Sequence, residues 1–114
     1  MDYLTSFEQK KKIVRQIIKG LAASTGEHAG ETIRIMDDLG GHYLLFNNAW
    51  KGGKRYYGCF LHIDIHPDGR VWLQHDGTDQ KIAEMLMEAG IHREDIVLAF
   101  QPPSVRPYSG FAVA

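Results

Sequence analysis

The sequence predicts an α+β fold, a single domain over residues 1–114 in which about four antiparallel strands form a sheet that packs with two helices. Segments with helical and strand-like periodicity follow one another in the order helix, strand run, helix, short strand. Short glycine-containing turns separate the strand-like segments, as antiparallel hairpins require. The length of 114 residues is enough for one buried core.

The first segment predicts an amphipathic helix from near Thr5 to Ala23. Thr5 followed by Glu8 resembles a capping box. Apolar side chains recur at helical spacing at Leu4, Phe7, Val14, Ile17, Ile18 and Leu21. The cations on the polar side are Lys12, Arg15 and Lys19. They form either a solvated face or a weak set of nucleic-acid contacts.

Strands follow a turn-rich connection, "STGEHAGE". "ETIRIMDD" and "HYLLFNNAW", separated by Gly40 and Gly41, predict two antiparallel strands. The next turn, "KGGK", carries Lys51 and Lys54, again either a solvated loop or a weak nucleic-acid contact. The longest strand is predicted over Lys54 to Ile65. Simple alternation places one set of its side chains in the core: Tyr57, Cys59, Leu61, Ile63 and Ile65. It places the other set on the opposite face: Tyr56, Gly58, Phe60, His62 and Asp64.

"HPDG" predicts a three-residue hairpin loop closed by His66 and Arg70, with Gly69 in the left-handed position. This loop fixes the register of the following strand. The expected pairs are Ile65 with Val71, Asp64 with Trp72, Ile63 with Leu73 and His62 with Gln74.

The remaining segments predict a helix, a short strand and a docked tail. The helix runs from Thr78, its expected cap, to Ala89, and Gly90 suits the position after its end. "DIVLAF" adds an edge strand or a short extra strand, and the apolar tail "SVRPYSGFAVA" is expected to dock on the domain.

Charge and composition exclude several classes of protein. Thirteen Lys and Arg residues face 14 Asp and Glu residues, a net charge of -1, so the chain has no global field for binding DNA. Only weak or indirect DNA contact is expected. The single cysteine, Cys59, excludes an internal disulfide, and no apolar run reaches transmembrane length. We expect a cytoplasmic protein that does not contact the membrane.

The segment "HIDIH" raises the question of a metal site. Alternate side chains on one strand lie about 7 Å apart, which does not let His62, Asp64 and His66 complete a ligand shell. The expected register puts His75 on the opposite face, and Cys59 is expected in the core. The sequence therefore predicts no metal ligands, no cofactor and no catalytic nucleophile, and Ser109 lacks the context of a nucleophile elbow.

The face opposite the predicted core combines aromatic and hydrogen-bonding groups. Its members are Phe60, His62, Asp64, Trp72 and Gln74. This composition fits the core of a protein interface. It fits equally a face that a helix covers within the monomer.

Several segments resemble the XisI family of cyanobacterial fdxN element excision controlling factors. They are "GCFLHIDIHPDGRVWLQHDGT", "IAEMLMEAGI", "EDIVLAF" and "PPSVRPYSGFAVA". The resemblance implies a non-enzymatic accessory protein in the developmentally regulated excision of a DNA element. It also implies a XisH-type nuclease-like partner and a separate site-specific recombinase, and it supplies no catalytic motif.

Two hypotheses from different classes result. In the first, the chain is a regulatory interaction module that forms homo-oligomers and binds a larger partner. In the second, it is a small enzyme that uses His62 and Asp64, with or without His66 and with or without a metal ion. The missing ligands and nucleophile favour the first. Direct DNA binding through the two basic clusters is a weaker third hypothesis.

Overall fold

The computed structural model describes residues 3–23 and 32–114, with the side chains of residues 7–22 in the first helix. A five-stranded sheet has the strand order β1-β2-β3-β4-β5. Its first four strands are antiparallel, and β5 adds to the edge in parallel with β4. The elements are α1 (Tyr3–Ala23), β1 (Thr32–Asp37), β2 (His42–Lys51), β3 (Lys54–Ile65), β4 (Val71–Asp76), α2 (Ile82–Glu88) and β5 (Ile96–Leu98). The predicted α+β class is confirmed.

The helices occupy one face of the sheet, here called the helix face. Val14 and Ile18 of α1 and Leu86 of α2 are fully buried there. The strand side chains in the same core are Tyr43, Leu45, Leu61, Ile63, Ile65, Val71 and Leu73. No helix in the described part of the chain is long and apolar enough to cross a membrane.

The opposite side of the sheet, here called the open face, carries the alternate side chains of the same strands. Cross-strand partners share a face, so Ile33 lies beside Phe46 and Ile35 beside Leu44. Neither described helix lies on this side. The C-terminal tail extends the sheet edge at β5, because the Ala112 amide donates to the Ile96 carbonyl over 2.9 Å. On the open face Arg106 of the tail lies over Trp72, and Val97, which pairs with Trp72, is fully buried.

Two β-bulges interrupt the pairing of β3 with its neighbours. Between β2 and β3 the register shifts at Phe60, since Leu45 pairs with Leu61 but Phe46 pairs with Cys59. Between β3 and β4 it shifts at Gln74. A bulge adds one residue to one strand and so changes which side chains share a face.

The first bulge overturns the predicted alternation of β3. Odd-numbered residues before Phe60 lie on the open face, whereas odd-numbered residues after it lie on the helix face. Cys59 pairs with Phe46 and therefore lies on the open face, not in the core row with Leu61. Phe60 instead packs against the core and lies next to Leu21 of α1.

The "HPDG" hairpin forms as predicted. The His66 amide donates to the Arg70 carbonyl over 2.9 Å, and Gly69 has φ 86. The pairs Ile65–Val71, Asp64–Trp72 and Ile63–Leu73 are confirmed. The predicted pair of His62 with Gln74 is wrong, because the bulge places His75 opposite His62. His75 therefore lies on the same face as His62, whereas the predicted register put it on the opposite face.

The helices differ from prediction at their starts. α1 begins at Tyr3, so Thr5 lies inside it and is not its cap. α2 begins at Ile82, because the Thr78 hydroxyl and amide both bind Asp76 Oδ1 and hold a turn there. Gly90 follows α2 with φ 116, and its amide and that of Ile91 bind carbonyls of the last turn, as predicted for this glycine. The "STGEHAGE" connection lies outside the described residues.

Candidate functional site

A buried carboxylate stands at the centre of the open face. Asp64 of β3 is only 7% exposed. Its Oδ1 is 2.7 Å from His42 Nδ1 and 2.7 Å from His62 Nε2. The Gln74 side-chain amide donates to Oδ2 over 3.2 Å. These four residues are called the Asp64 cluster.

Local geometry brings the members of the cluster together from three strands. His42 is the first residue of β2 and pairs directly with Asp64. His62 precedes Asp64 by two residues on the same strand, so both side chains point to the open face. Gln74 is the bulged residue of β4 and follows Trp72, the partner of Asp64, by two residues.

Gly41 allows β2 to approach β3 closely enough for this contact. Its φ of 76 favours glycine, and a Cβ atom there would run into the carbonyl oxygen of Ile65. The Gly41 carbonyl accepts the Ile65 amide over 2.8 Å. His42, the next residue, is thereby fixed opposite Asp64.

The carboxylate influences the protonation of the more exposed histidine. The hydrogen bond with Asp64 raises the pKa of His42 above its ordinary value, and the negative charge of Asp64 adds to the effect. The His42 side chain is 53% exposed, whereas that of His62 is 29% exposed. The cluster therefore offers a proton-holding and hydrogen-bonding group at the surface.

The same cluster has the donor set of a metal site. The ligand atoms of His42, His62 and Asp64 all lie within 4.8 Å of one another. Within residues 3–23 and 32–114, no other group of three His, Cys, Asp or Glu side chains gathers in this way. His66, which the sequence placed beside His62 and Asp64, is not part of it.

His66 contacts Trp72 instead. The two rings stack with centroids 4.6 Å apart and planes inclined by 15°. The Arg106 guanidinium also lies over the indole, 5.4 Å from its centroid. Trp72 is half-buried, and its Nε1 is buried without a hydrogen-bond partner among the described residues. The side chain is thus packed by its own chain, through the hairpin and the tail.

The predicted interface set is divided between the two faces. His62, Asp64, Trp72 and Gln74 lie on the open face, as expected. Phe60 does not: it lines a cleft on the helix face together with Leu21, Asn47 and Thr78. Its predicted place beside His62 is wrong because of the bulge described above.

The basic residues proposed as nucleic-acid contacts have different environments. Arg15 is occupied by an ion pair with Asp38 at 2.9 Å. Lys12 and Lys19 are exposed. Lys51 and Lys54 lie over the Tyr56 ring, at 5.9 and 5.1 Å from its centroid.

An aromatic–arginine group that was not predicted from the sequence lies at the end of the β2–β3 hairpin. Arg55 lies 5.6 Å from the Trp50 ring centroid and 5.1 Å from that of Tyr57. It also donates to Asn48 Oδ1 over 2.7 Å. Trp50 is 65% exposed. The signal was the dense aromatic content around "KGGK", which hairpin pairing brings together.

The two possible nucleophiles have structural contacts. The Cys59 thiol donates to the Leu61 carbonyl over 3.3 Å, and burial raises its pKa, which disfavours the reactive thiolate. The Ser109 hydroxyl donates to the Arg106 carbonyl and accepts from the Phe111 amide. Ser109 therefore braces the tail.

These features define a class: a small two-layer α+β domain with one sheet face covered by helices and one that presents a polar cluster among apolar side chains. The chain belongs to the XisI family, since the family model described as XisI protein matches residues 1–113. This confirms the resemblance drawn from the sequence. The comparison with curated proteins gives no match.

Two crystal structures from Anabaena variabilis have the same fold. A XisI-like protein is 34% identical, with a TM-score of 0.85 over 95% of this chain and 99% of its own. The fdxN element excision controlling factor XisI is 28% identical, with a TM-score of 0.82 over 96% of this chain and 99% of its own.

Proposed function

We propose that this protein is a non-enzymatic controlling factor of DNA-element excision that acts by binding another protein through its open face. The family assignment and the similar excision controlling factor support a regulatory role. The observation that carries the proposal is the open face itself. Apolar side chains remain exposed on it around the Asp64 cluster.

The chemistry of this face suits a protein interface. Ile33 and Ile35 of β1 are 38% and 44% exposed and lie beside Phe46 and Leu44. The solvated face of an antiparallel sheet normally alternates to polar residues. Contiguous apolar side chains on a surface instead mark binding sites.

The aromatic–arginine group extends this surface along the hairpin. Trp50, Arg55 and Tyr57 belong to the three residue types most enriched among interface hot spots. The Arg55 contacts with both rings and with Asn48 hold the group in one arrangement before binding. Such preorganisation reduces the entropy lost on association.

We assign the partner to the XisH type of nuclease-like protein, together with self-association into a homo-oligomer. The choice of partner rests on the family resemblance. We propose a cytoplasmic location for this protein because excision acts on DNA in that compartment. In this proposal a recombinase complex cuts and joins the DNA, and this chain regulates that complex without catalysing a reaction itself.

Co-purification with a co-expressed XisH-type protein tests the proposal. Ile35→Glu puts a charge in the apolar part of the open face and should weaken the association at least tenfold. Leu39→Glu is the matched control, because Leu39 is 99% exposed but lies in the turn after β1. Sedimentation of each variant alone reports self-association. Wild-type affinity for Ile35→Glu, with its fold retained by circular dichroism, would reject the open face as the binding surface.

The Asp64 cluster supports an enzymatic alternative. Two imidazoles around a carboxylate form a plausible acid–base group. The Cys59 thiol does not join it, since it donates to a backbone carbonyl. Asp64→Asn, measured both for partner binding and for excision control in a cell-based assay, distinguishes the hypotheses: retained control excludes catalysis by the cluster, and lost control with retained binding supports it.

A further inference from the structure

Three donor atoms on two paired strands converge at the surface of the open face. They are His42 Nδ1, His62 Nε2 and a carboxylate oxygen of Asp64, all within 4.8 Å of one another. Because β2 and β3 form a continuous ladder here, the backbone positions of the three ligands are fixed relative to each other. Rigid strands are better supports for a metal site than loops.

The donor set selects a class of metal. Imidazole nitrogens suit zinc and its neighbours among the transition metals, whereas calcium and magnesium prefer oxygen ligands only. Three protein ligands leave a fourth tetrahedral position for water or for a group of a bound protein. The 53% exposed side chain of His42 leaves that position accessible from solvent.

An outer contact already orients the carboxylate. The Gln74 side-chain amide donates to Asp64 Oδ2, which leaves Oδ1 directed at both histidines. Outer-shell hydrogen bonds of this kind fix metal ligands and are typical of natural sites.

Rotations of the two histidine side chains separate the observed arrangement from coordination, because the ligand nitrogens of His42 and His62, within 4.8 Å of each other, must come to about 3.3 Å apart. The two nitrogens are each 2.7 Å from Oδ1. Zinc bonds of about 2.0–2.1 Å at tetrahedral angles separate ligand atoms by about 3.3 Å, so each ring must withdraw by about half an ångström. The nitrogen that faces Asp64 on each ring carries the proton of the hydrogen bond. Metal binding displaces that proton to solvent, the other ring nitrogen holds the proton of the neutral imidazole, and the freed lone pair coordinates the metal.

We propose that His42, His62 and Asp64 form a site for a divalent transition metal, with Zn²⁺ the preferred ion. The sequence-based prediction of no metal rested on a missing third ligand for His62, Asp64 and His66. His42 supplies this ligand from the neighbouring strand. The site goes beyond excision control and requires neither the partner nor the interface proposed above.

Titration of the untagged, chelator-treated full chain with Co²⁺ and then Zn²⁺ tests the site. Visible absorption of bound Co²⁺ reports nitrogen and oxygen ligation, and calorimetry gives stoichiometry and affinity. We expect one ion per chain and a rise in Tm with Zn²⁺, because a ligand that binds only the folded state stabilises it.

Variants locate the ion. His42→Ala and His62→Ala should each weaken Zn²⁺ binding at least about 100-fold, and Gln74→Ala should weaken it by about tenfold, as expected for an outer-shell partner. His92→Ala is the control, because it removes an exposed histidine outside the cluster. Circular dichroism verifies folding before each titration.

Two outcomes overturn the proposal. One is the absence of stoichiometric binding to wild-type protein. The other is equal binding by wild type and by folded His42→Ala. Should His42→Ala fail to fold, Asp64→Asn keeps the test decisive, since it preserves side-chain shape while removing the anionic ligand.

Discussion

The hydroxyl of Tyr43 donates a hydrogen bond to Asp38 Oδ1 over 2.8 Å, although the tyrosine as a whole is buried in the core. Arg15 of α1 donates to the same oxygen over 2.9 Å. Burial and the contact with Asp38 raise the pKa of Tyr43, so its hydroxyl remains a donor near neutral pH. The three residues join the helix to the turn between β1 and β2.

Removing this hydroxyl should cost a measurable part of the stability. Tyr43→Phe keeps the buried ring and loses one hydrogen bond to a charged group, which contributes about 1.5 kcal/mol, the low end for such bonds because the Asp38 side chain is 55% exposed. The free energy of unfolding in urea should fall by that amount. Tyr108→Phe, at an 88% exposed position, is the control and should change it little. Equal effects of the two variants would contradict the prediction.

The same contact predicts a loss of stability in acid. The hydrogen bonds from Tyr43 and Arg15 lower the pKa of Asp38 below its ordinary value. A carboxyl with a depressed folded pKa stabilises the protein above its unfolded pKa, about 3.9, and loses this contribution as pH falls through the folded value. The stability difference between wild type and Asp38→Asn should therefore shrink below about pH 4.

Urea melts from pH 7 to pH 3 measure this difference. Glu94→Gln removes one exposed negative charge elsewhere and serves as the control. A gap between wild type and Asp38→Asn that is constant across the range would be incompatible with the predicted role of Asp38.

Trp72 should contribute to stability within the monomer more than to association. His66 stacks on its ring and Arg106 lies over it, so truncation removes contacts of the hairpin and the tail. We expect Trp72→Ala to lower the free energy of unfolding by about 3 kcal/mol, the low end for loss of a large aromatic group because the side chain is half-buried.

Trp72→Phe separates the contribution of ring packing to stability from the contribution of the indole N–H group. It keeps an aromatic ring and removes an Nε1 that has no hydrogen-bond partner among the described residues, so we expect a cost below about 1 kcal/mol. Thermal melting and sedimentation are measured on both variants. A normal melt with lost association in Trp72→Ala would place Trp72 in an interface.

DNA binding by the isolated chain should be weak and sensitive to salt. The net charge of -1 provides no long-range attraction, and the hairpin supplies Lys51 and Lys54 as a local cationic pair. Replacing both with Gln should reduce the slope of log affinity against log salt by about two. Fluorescence anisotropy with a labelled duplex measures the slope. Nanomolar binding at physiological salt would refute the expectation.

The fold followed from local patterns, whereas the site depended on a feature without a local signature. Gly69 and Gly90 marked their turns because each position requires a positive φ. Phe60 looked like any other residue in an alternating strand. Without its bulge, His42 would pair with Ile63 and point into the core. The extra residue puts His42 opposite Asp64. A bulge is visible only in the pairing of the two strands and not in the sequence of either one.

The start of α2 was missed for a different physical reason. Thr78 has the side chain of a helix cap, but its hydroxyl and amide bind Asp76 Oδ1 and form a turn outside the helix. A threonine in a helix cap and a threonine in a turn satisfy the same hydroxyl and amide groups, so the residue type alone does not distinguish the two structures.

Gly41 provides the most specific test of how the backbone holds the Asp64 cluster. Gly41→Ala forces an L side chain into the left-handed region at φ 76 and pushes a methyl group into the Ile65 carbonyl. Gly53 is the matched control, because it has nearly the same φ of 78 but nothing within 4 Å of an added Cβ. Backbone conformation alone costs about 1–2 kcal/mol for a non-glycine residue.

We expect Gly53→Ala to lower the free energy of unfolding by about that amount and Gly41→Ala to lower it by at least about 2 kcal/mol more, since the rigid backbone oxygen cannot yield cheaply. Urea unfolding measures both values. In Gly41→Ala the start of β2 must also move away from β3, so NMR should show the His42 ring signals shifted while those of His92 stay in place. Equal destabilisation by the two alanines, with unchanged His42 signals, would show that the close approach of Gly41 to Ile65 does not position the cluster.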